Sequence, residues 1–340
     1  MWLSSSSVGR KFVMALSGAV LVLFVTFHCL MNSIAIVWPA AYNVICEFLG
    51  ANWYALIASA GLAVFILIHI CYAVMLTLQN RKARGNNPYS VTHRPKDVEW
   101  SSQNMLVLGI VILAFLVVHL IQFWAKMQWV EIIGSEGKLP PVAGTLFLQE
   151  AFSLVWTPIV YIIGFIALWF HMNHGFWSMF QSIGWDSTVW IPRLKKTAMV
   201  WSSIVVALFI AQAIVFTVKA HEDYYKTDET LRTQYQSMMA NQLANDFGSD
   251  GVQFAEQVKA APFEQVNMGL RQMEQQFKQQ LEFVKTPEGQ AMVKSQPGAA
   301  EQMKDMEQRY EAVKRAVKLL DYLTTDAEKT EANQPVNPHM

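Results

Sequence analysis

The sequence predicts an all-α fold: a polytopic membrane protein with five transmembrane helices in a bundle, followed by a soluble helical hairpin. Three observations predict it. Of the 340 residues 53% are hydrophobic and only 15% charged, too oily for an ordinary soluble enzyme. The apolar residues are concentrated, since all 12 tryptophans precede residue 202 while 19 of the 26 acidic residues follow residue 219. Third, the net charge of zero divides into 13 basic against 7 acidic residues up to Lys219 and 13 against 19 beyond it. The chain accordingly divides into a membrane part, 1–219, an extension outside the membrane, 220–325, and a disordered tail, 326–340. Neither part carries the basic surface of a nucleic-acid binder.

Crossing the hydrocarbon core takes about 20 helical residues. Five stretches meet that length: 12–37, 53–78, 104–125, 147–179 and 198–218. The first follows Arg10 and Lys11 but is longer than a signal-peptide core, and no small-residue cleavage site follows, so it reads as a retained helix. The fourth contains Pro158, which removes a backbone hydrogen bond and predicts a kink.

Orientation follows from the loops, because Lys and Arg favour the cytoplasmic side. Arg10 and Lys11 precede the first segment; Arg81, Lys82, Arg84, Arg94 and Lys96 join the second to the third; Arg193, Lys195 and Lys196 join the fourth to the fifth. The alternate loops hold only Lys126 and Lys138. That places the N-terminus on the cytoplasmic side, and five crossings then put the extension from residue 220 outside.

Four of the five segments carry a histidine, and the helical rise of about 1.5 Å per residue sets its depth. His28 lies 17 residues past Lys11, and His119 lies 15 past Asn104, so both fall in the outer half. His69 lies 10 residues before Gln79 and His171 lies 10 before Gln181, so both fall in the inner half. Imidazole is costly in hydrocarbon unless paired or ligating, and neutral imidazole is an axial ligand of haem iron. Two bis-histidine haems, one on His28 and His119 and one on His69 and His171, account for all four. The alternative is that each imidazole only hydrogen-bonds a neighbouring carbonyl.

Gly18, Gly61, Gly109 and Gly164 each lie one depth level away from their own helix's histidine, where a porphyrin edge would need backbone without a side chain. Close helix packing explains such glycines equally. His174 is three residues from His171 on nearly the same face. His171 is the better match to His69, leaving His174 for a haem propionate or a lipid headgroup. No CxxCH is present, so the haems are expected to be b-type; Cys29, Cys46 and Cys71 lack the spacing of an iron–sulfur or zinc site.

The stretch "SSSVGRKFVMALSGAVLVLFVTFHCLMN" (5–32), with Gly-Arg-Lys, a mid-helix Ser-Gly and a late His-x-x-x-Asn, resembles the first helix of the di-haem cytochrome b membrane-anchor subunits of succinate:quinone oxidoreductases, the five-helix type found in succinate dehydrogenase and menaquinol:fumarate reductase. "FHMNHGFWSMFQ" (170–181) is similar to the family's fourth-helix motif, registering the ligand on His171 and the following glycine on Gly175. The resemblance covers residues 5–219. It implies an anchor that carries out no dicarboxylate chemistry itself. A flavoprotein subunit and an iron–sulfur subunit would dock on the cytoplasmic face and exchange electrons with the inner haem, and menaquinone or menaquinol would react near the outer one.

Quinone chemistry moves protons as well as electrons, so acids at the outer surface are candidates for proton exchange: Glu47 between the first two segments and Glu150 at the start of the fourth. Some fumarate reductases of the family carry a glutamate two residues before the fourth-helix ligand; here that residue is Trp169, which closes such a path. Two other function classes stay open: a di-haem cytochrome b serving a hydrogenase or nitrate reductase, and a haem-free proton-coupled transporter.

The extension departs from the family. Phe263, Val266, Leu270, Met273, Phe277, Leu281 and Val284 recur at helical spacing, as do Met303, Met306, Tyr310, Val313, Val317 and Leu320. A two-helix hairpin joined by a linker at 286–300 is expected.

Overall fold

The computed structural model describes residues 6–50, 52–84, 99–134, 137–295 and 298–324. It is 89% helical, with no strand among the described residues, and five helices are long and apolar enough to cross a membrane. The disordered tail expected from residue 326 onward, and Arg94 and Lys96, lie outside the described residues.

Helix α1 (Ser7–Val37) begins where the Ser6 hydroxyl accepts a hydrogen bond from the Gly9 amide at 2.9 Å, an N-cap that satisfies one of the helix's free donors. It ends at Trp38, and Pro39 opens α2 (Pro39–Gly50), the first helical position being where proline's missing N–H costs nothing. The second crossing is α3 (Trp53–Arg84). After a short α4 (Trp100–Gln103), the third crossing, α5 (Met105–Ile132), runs as α-helix to His119 and then widens into a π-helix over Leu120–Trp129. The wide turn starts directly after a candidate ligand, a position where π-helix is over-represented.

The fourth apolar stretch is not one kinked helix. It forms α6 (Gly144–Phe152) and α7 (Trp156–Ser182), separated by a bend. Pro158 is the third residue of α7, in the first turn, where no intrahelical acceptor waits for its N–H. It therefore starts a helix rather than bending one. Helix α6 is apolar for a different reason from the crossings: eight of its nine residues are buried in protein. The fifth crossing is α8 (Trp190–His221).

Within the membrane part α1, α5 and α8 all pack on α7, while α3 lies mainly along α1 and no residue of α3 is buried. Large apolar side chains such as Leu23, Leu67, Ile121, Ile163 and Ile204 face outward. In water such a surface would be an aggregation site; in a bilayer it is the lipid contact.

The extension is larger than the expected hairpin. A tight turn at Asp223, with φ 52°, a left-handed conformation that aspartate tolerates, redirects the chain into α9 (Tyr224–Thr227). Then follow α10 (Glu229–Asp246), α11 (Gly251–Ala260), α12 (Phe263–Val284), α13 (Pro287–Ser295) and α14 (Ala299–Leu323). Helices α12 and α14 do pack together, but α10 packs on α11 and against α14, making a small bundle. The signal for α10 was present: Leu231, Tyr235, Met239 and Leu243 recur every fourth residue, and all are buried.

The bundle is docked, not tethered. Asn43 of α2, without exposed surface, accepts from the Thr145 amide (2.9 Å) and hydroxyl (2.8 Å) and donates to Gln234 (3.1 Å). Thr145 also bonds the Tyr235 hydroxyl at 2.7 Å, and Gln149 donates to the Ala220 carbonyl and to Asp223. One contiguous apolar core runs from Cys29 in the membrane part to Leu323 in the extension.

Candidate functional site

Helices α1, α3, α5 and α7 each contribute one histidine, and the fold brings these together in two pairs. His28 and His119 have ring centroids 5.7 Å apart; His69 and His171 are 6.2 Å apart. The first pair lies toward the extension and the second toward the opposite side. Helical rise along four helices of alternating direction produces this two-level arrangement.

The rings are oriented by hydroxyl groups. His69 Nδ1 lies 3.2 Å from the Ser17 hydroxyl, which donates its own proton to the Met14 carbonyl at 3.0 Å. Ser17 is thus left to accept from His69. At the other level His119 Nδ1 lies 3.2 Å from the Tyr161 hydroxyl, which donates to Gln122 Oε1 at 2.9 Å, while Gln122 Nε2 donates to Thr157 at 3.1 Å. With the proton on Nδ1, the lone pair of each ring is on Nε2. His28 stacks on Phe24 at 5.4 Å. The Nδ1 of His171 is buried without a hydrogen-bond partner.

The four glycines differ in surroundings. A Cβ on Gly18 would stand 3.6 Å from His69 Cε1, so Gly18 lies at the level of the His69 pair. Nothing lies within 4 Å of a Cβ on Gly61 or Gly109. A Cβ on Gly164 would be 2.5 Å from the Phe115 ring, so here glycine lets α5 approach α7 closely. Trp169 donates to the Ser203 hydroxyl at 3.0 Å.

No family model, curated protein or solved structure matches this chain.

The acids and His174 fall outside the paired histidines. Glu47 is exposed on α2. Glu150, at the end of α6, is ion-paired to Lys126 at 2.8 Å. A third acid at that end, Glu131, which sequence reading had not singled out, lies against Gly50. His174 is 3.3 Å from Glu99, whose other oxygen meets Lys195 at 2.7 Å, and Lys195 lies over the Trp177 ring at 4.4 Å. Burial works to raise the Glu99 carboxyl, but Lys195 and His174 outweigh it and hold it below the usual carboxylate range. This cluster clamps α4 to the ends of α7 and α8. Sequence reading missed it because Glu99, His174 and Lys195 sit on separate elements.

Proposed function

We propose that the chain is the membrane-anchor cytochrome b subunit of a succinate:quinone oxidoreductase. It would hold two b haems, one between His28 and His119 and the other between His69 and His171. The pairing carries this reading: four histidines on four apolar helices, meeting two by two at two levels. Each pair of rings, 5.7 Å and 6.2 Å apart, would be near enough for both imidazoles to hold one metal ion at a bond length of about 2 Å each.

The residues fit the group. No set of three or more His, Cys, Asp or Glu able to hold a bare metal ion occurs among the described residues, and two imidazoles per level suit an ion whose other ligands come from a macrocycle. Gly61 and Gly109 offer helix surface with no protein atom against it. A b haem at each level supplies one-electron transfer along the membrane normal. The chain's own residues orient the imidazoles through Ser17 and Tyr161, and their apolar surroundings exclude water. Glu150, Lys126, Glu47 and Glu131 lie where protons could be exchanged with menaquinone or menaquinol on the extension side.

The motifs at 5–32 and 170–181 support the succinate:quinone assignment over other di-haem cytochromes b. On that reading a flavoprotein subunit and an iron–sulfur subunit dock opposite the extension, near Arg81, Lys82, Arg84, Arg193, Lys195 and Lys196. The membrane is the bacterial inner membrane, with the extension periplasmic.

Purified protein is expected to give a dithionite-reduced minus oxidised spectrum with b-type bands and two haems per chain. H28A and H119A should each lose one haem, and H69A and H171A the other. One haem or none in the wild type would reject the proposal. Co-purification of a flavoprotein distinguishes it from a hydrogenase or nitrate reductase partner.

A further inference from the structure

Tyr161 is 4% exposed and walled in by Phe115, Phe152 and Phe165, with ring centroids 5.0, 5.3 and 5.9 Å away. A buried phenol needs partners, and this one has two of opposite sense. It gives its proton to Gln122, whose amide is itself oriented by Thr157, a residue with no exposed surface. The phenol oxygen therefore meets His119 only as an acceptor. Tyr161, Gln122 and Thr157 are all buried side chains of α5 and α7.

We propose that Tyr161 is a positioning residue for His119. It fixes the imidazole proton on Nδ1, directs the Nε2 lone pair to the iron, and by accepting from Nδ1–H makes the ring a stronger donor. A stronger axial donor stabilises the oxidised iron, so the haem of the His28 and His119 pair has a lower midpoint potential than it would without the phenol. Ser17 does the same for His69 at the other level through a shorter arrangement with no second side chain behind it. The two haems are thus tuned by separate hydroxyls on separate helices. This rests on the two-haem reading above.

The test compares wild type, Y161F and S17A in detergent, counting haems per chain and measuring both midpoint potentials and the low-spin electron paramagnetic resonance signals. Y161F keeps the ring and removes only the oxygen. Two haems are expected in each protein, with one potential shifted upward in Y161F, the other shifted upward in S17A, and the unshifted haem unchanged in each. A merely space-filling tyrosine would leave both potentials and both signals where they were, and that result overturns the assignment. So does a shift of the same haem in both variants. If Y161F fails to accumulate, Q122L is measured instead: a phenol that no longer donates to Gln122 Oε1 is a weaker acceptor for the Nδ1–H of His119, and the same potential should rise, by less than in Y161F; no change overturns the proposal. A wild type without haem defeats the functional reading before any variant is compared, whereas an unmoved potential in a two-haem Y161F defeats only the role of Tyr161.

Discussion

Asn43 joins the membrane part to the extension through both ends of one amide, and its loss is predicted to be costly. Asn43→Ala would strand the buried Thr145 amide and take the donor from a half-buried Gln234 oxygen, at about 1–3 kcal/mol, seen as a lower unfolding temperature of the whole protein in detergent. Gly144 is the neighbouring constraint, since a Cβ there would run into Cys46 Sγ and stand 2.8 Å from the Tyr42 ring. Gly144→Ala should destabilise by about 1–3 kcal/mol through overpacking, measured in the same way. Burial pushes the Cys46 thiol up to about 12, so it stays protonated and should resist a maleimide at neutral pH. The histidine pairs could be read from sequence because depth along a helix depends only on residue count. Their hydroxyl partners could not, because Ser17 meets His69 across 52 residues and Tyr161 meets His119 across 42, contacts that only the packed helices create.

At the level of elements, the sequence located all five crossings but misread α6. A nine-residue helix buried in protein has the same composition as one facing lipid, and periodicity does not separate them. Pro158 shows the same limit: its effect depends on helix position, which a continuous apolar run hides. Pro158→Ala is therefore expected to change stability by only about 0.5 kcal/mol, whereas a proline at an interior position such as Ile163 should cost about 3 kcal/mol or more. The α4 clamp makes a separate prediction. Its Glu99 carboxyl titrates lower in the folded protein than unfolded. Its contribution is therefore present above the unfolded value near 4.5 and is lost as pH falls through the folded value. Acidification should loosen α4, read as faster amide exchange at residues 99–104, and E99Q should abolish that pH dependence.

For the molecule as a whole, the division between apolar and acidic halves predicts a membrane part and an extension, but not that one core joins them. The reason is that the docking contacts are long-range: Asn43 reaches Gln234 across 191 residues. Removing the chain beyond His221 would take Tyr235 from Thr145, Gln234 from Asn43 and α9 from the side of α6, and the truncated protein should aggregate on detergent removal sooner than the full chain. Five crossings leave the start of α1 and the extension on opposite sides of the bilayer, with α8 leading straight into α9. On the proposed orientation, with the extension periplasmic, everything after α8 is exported once the spans are already inserted. Until that late cargo arrives, α2 and α6 wait bare at the far side, and the protein's two ends mature at different times: a protease added to that side during synthesis should cut near α6 early and lose access only when the last helix has been delivered.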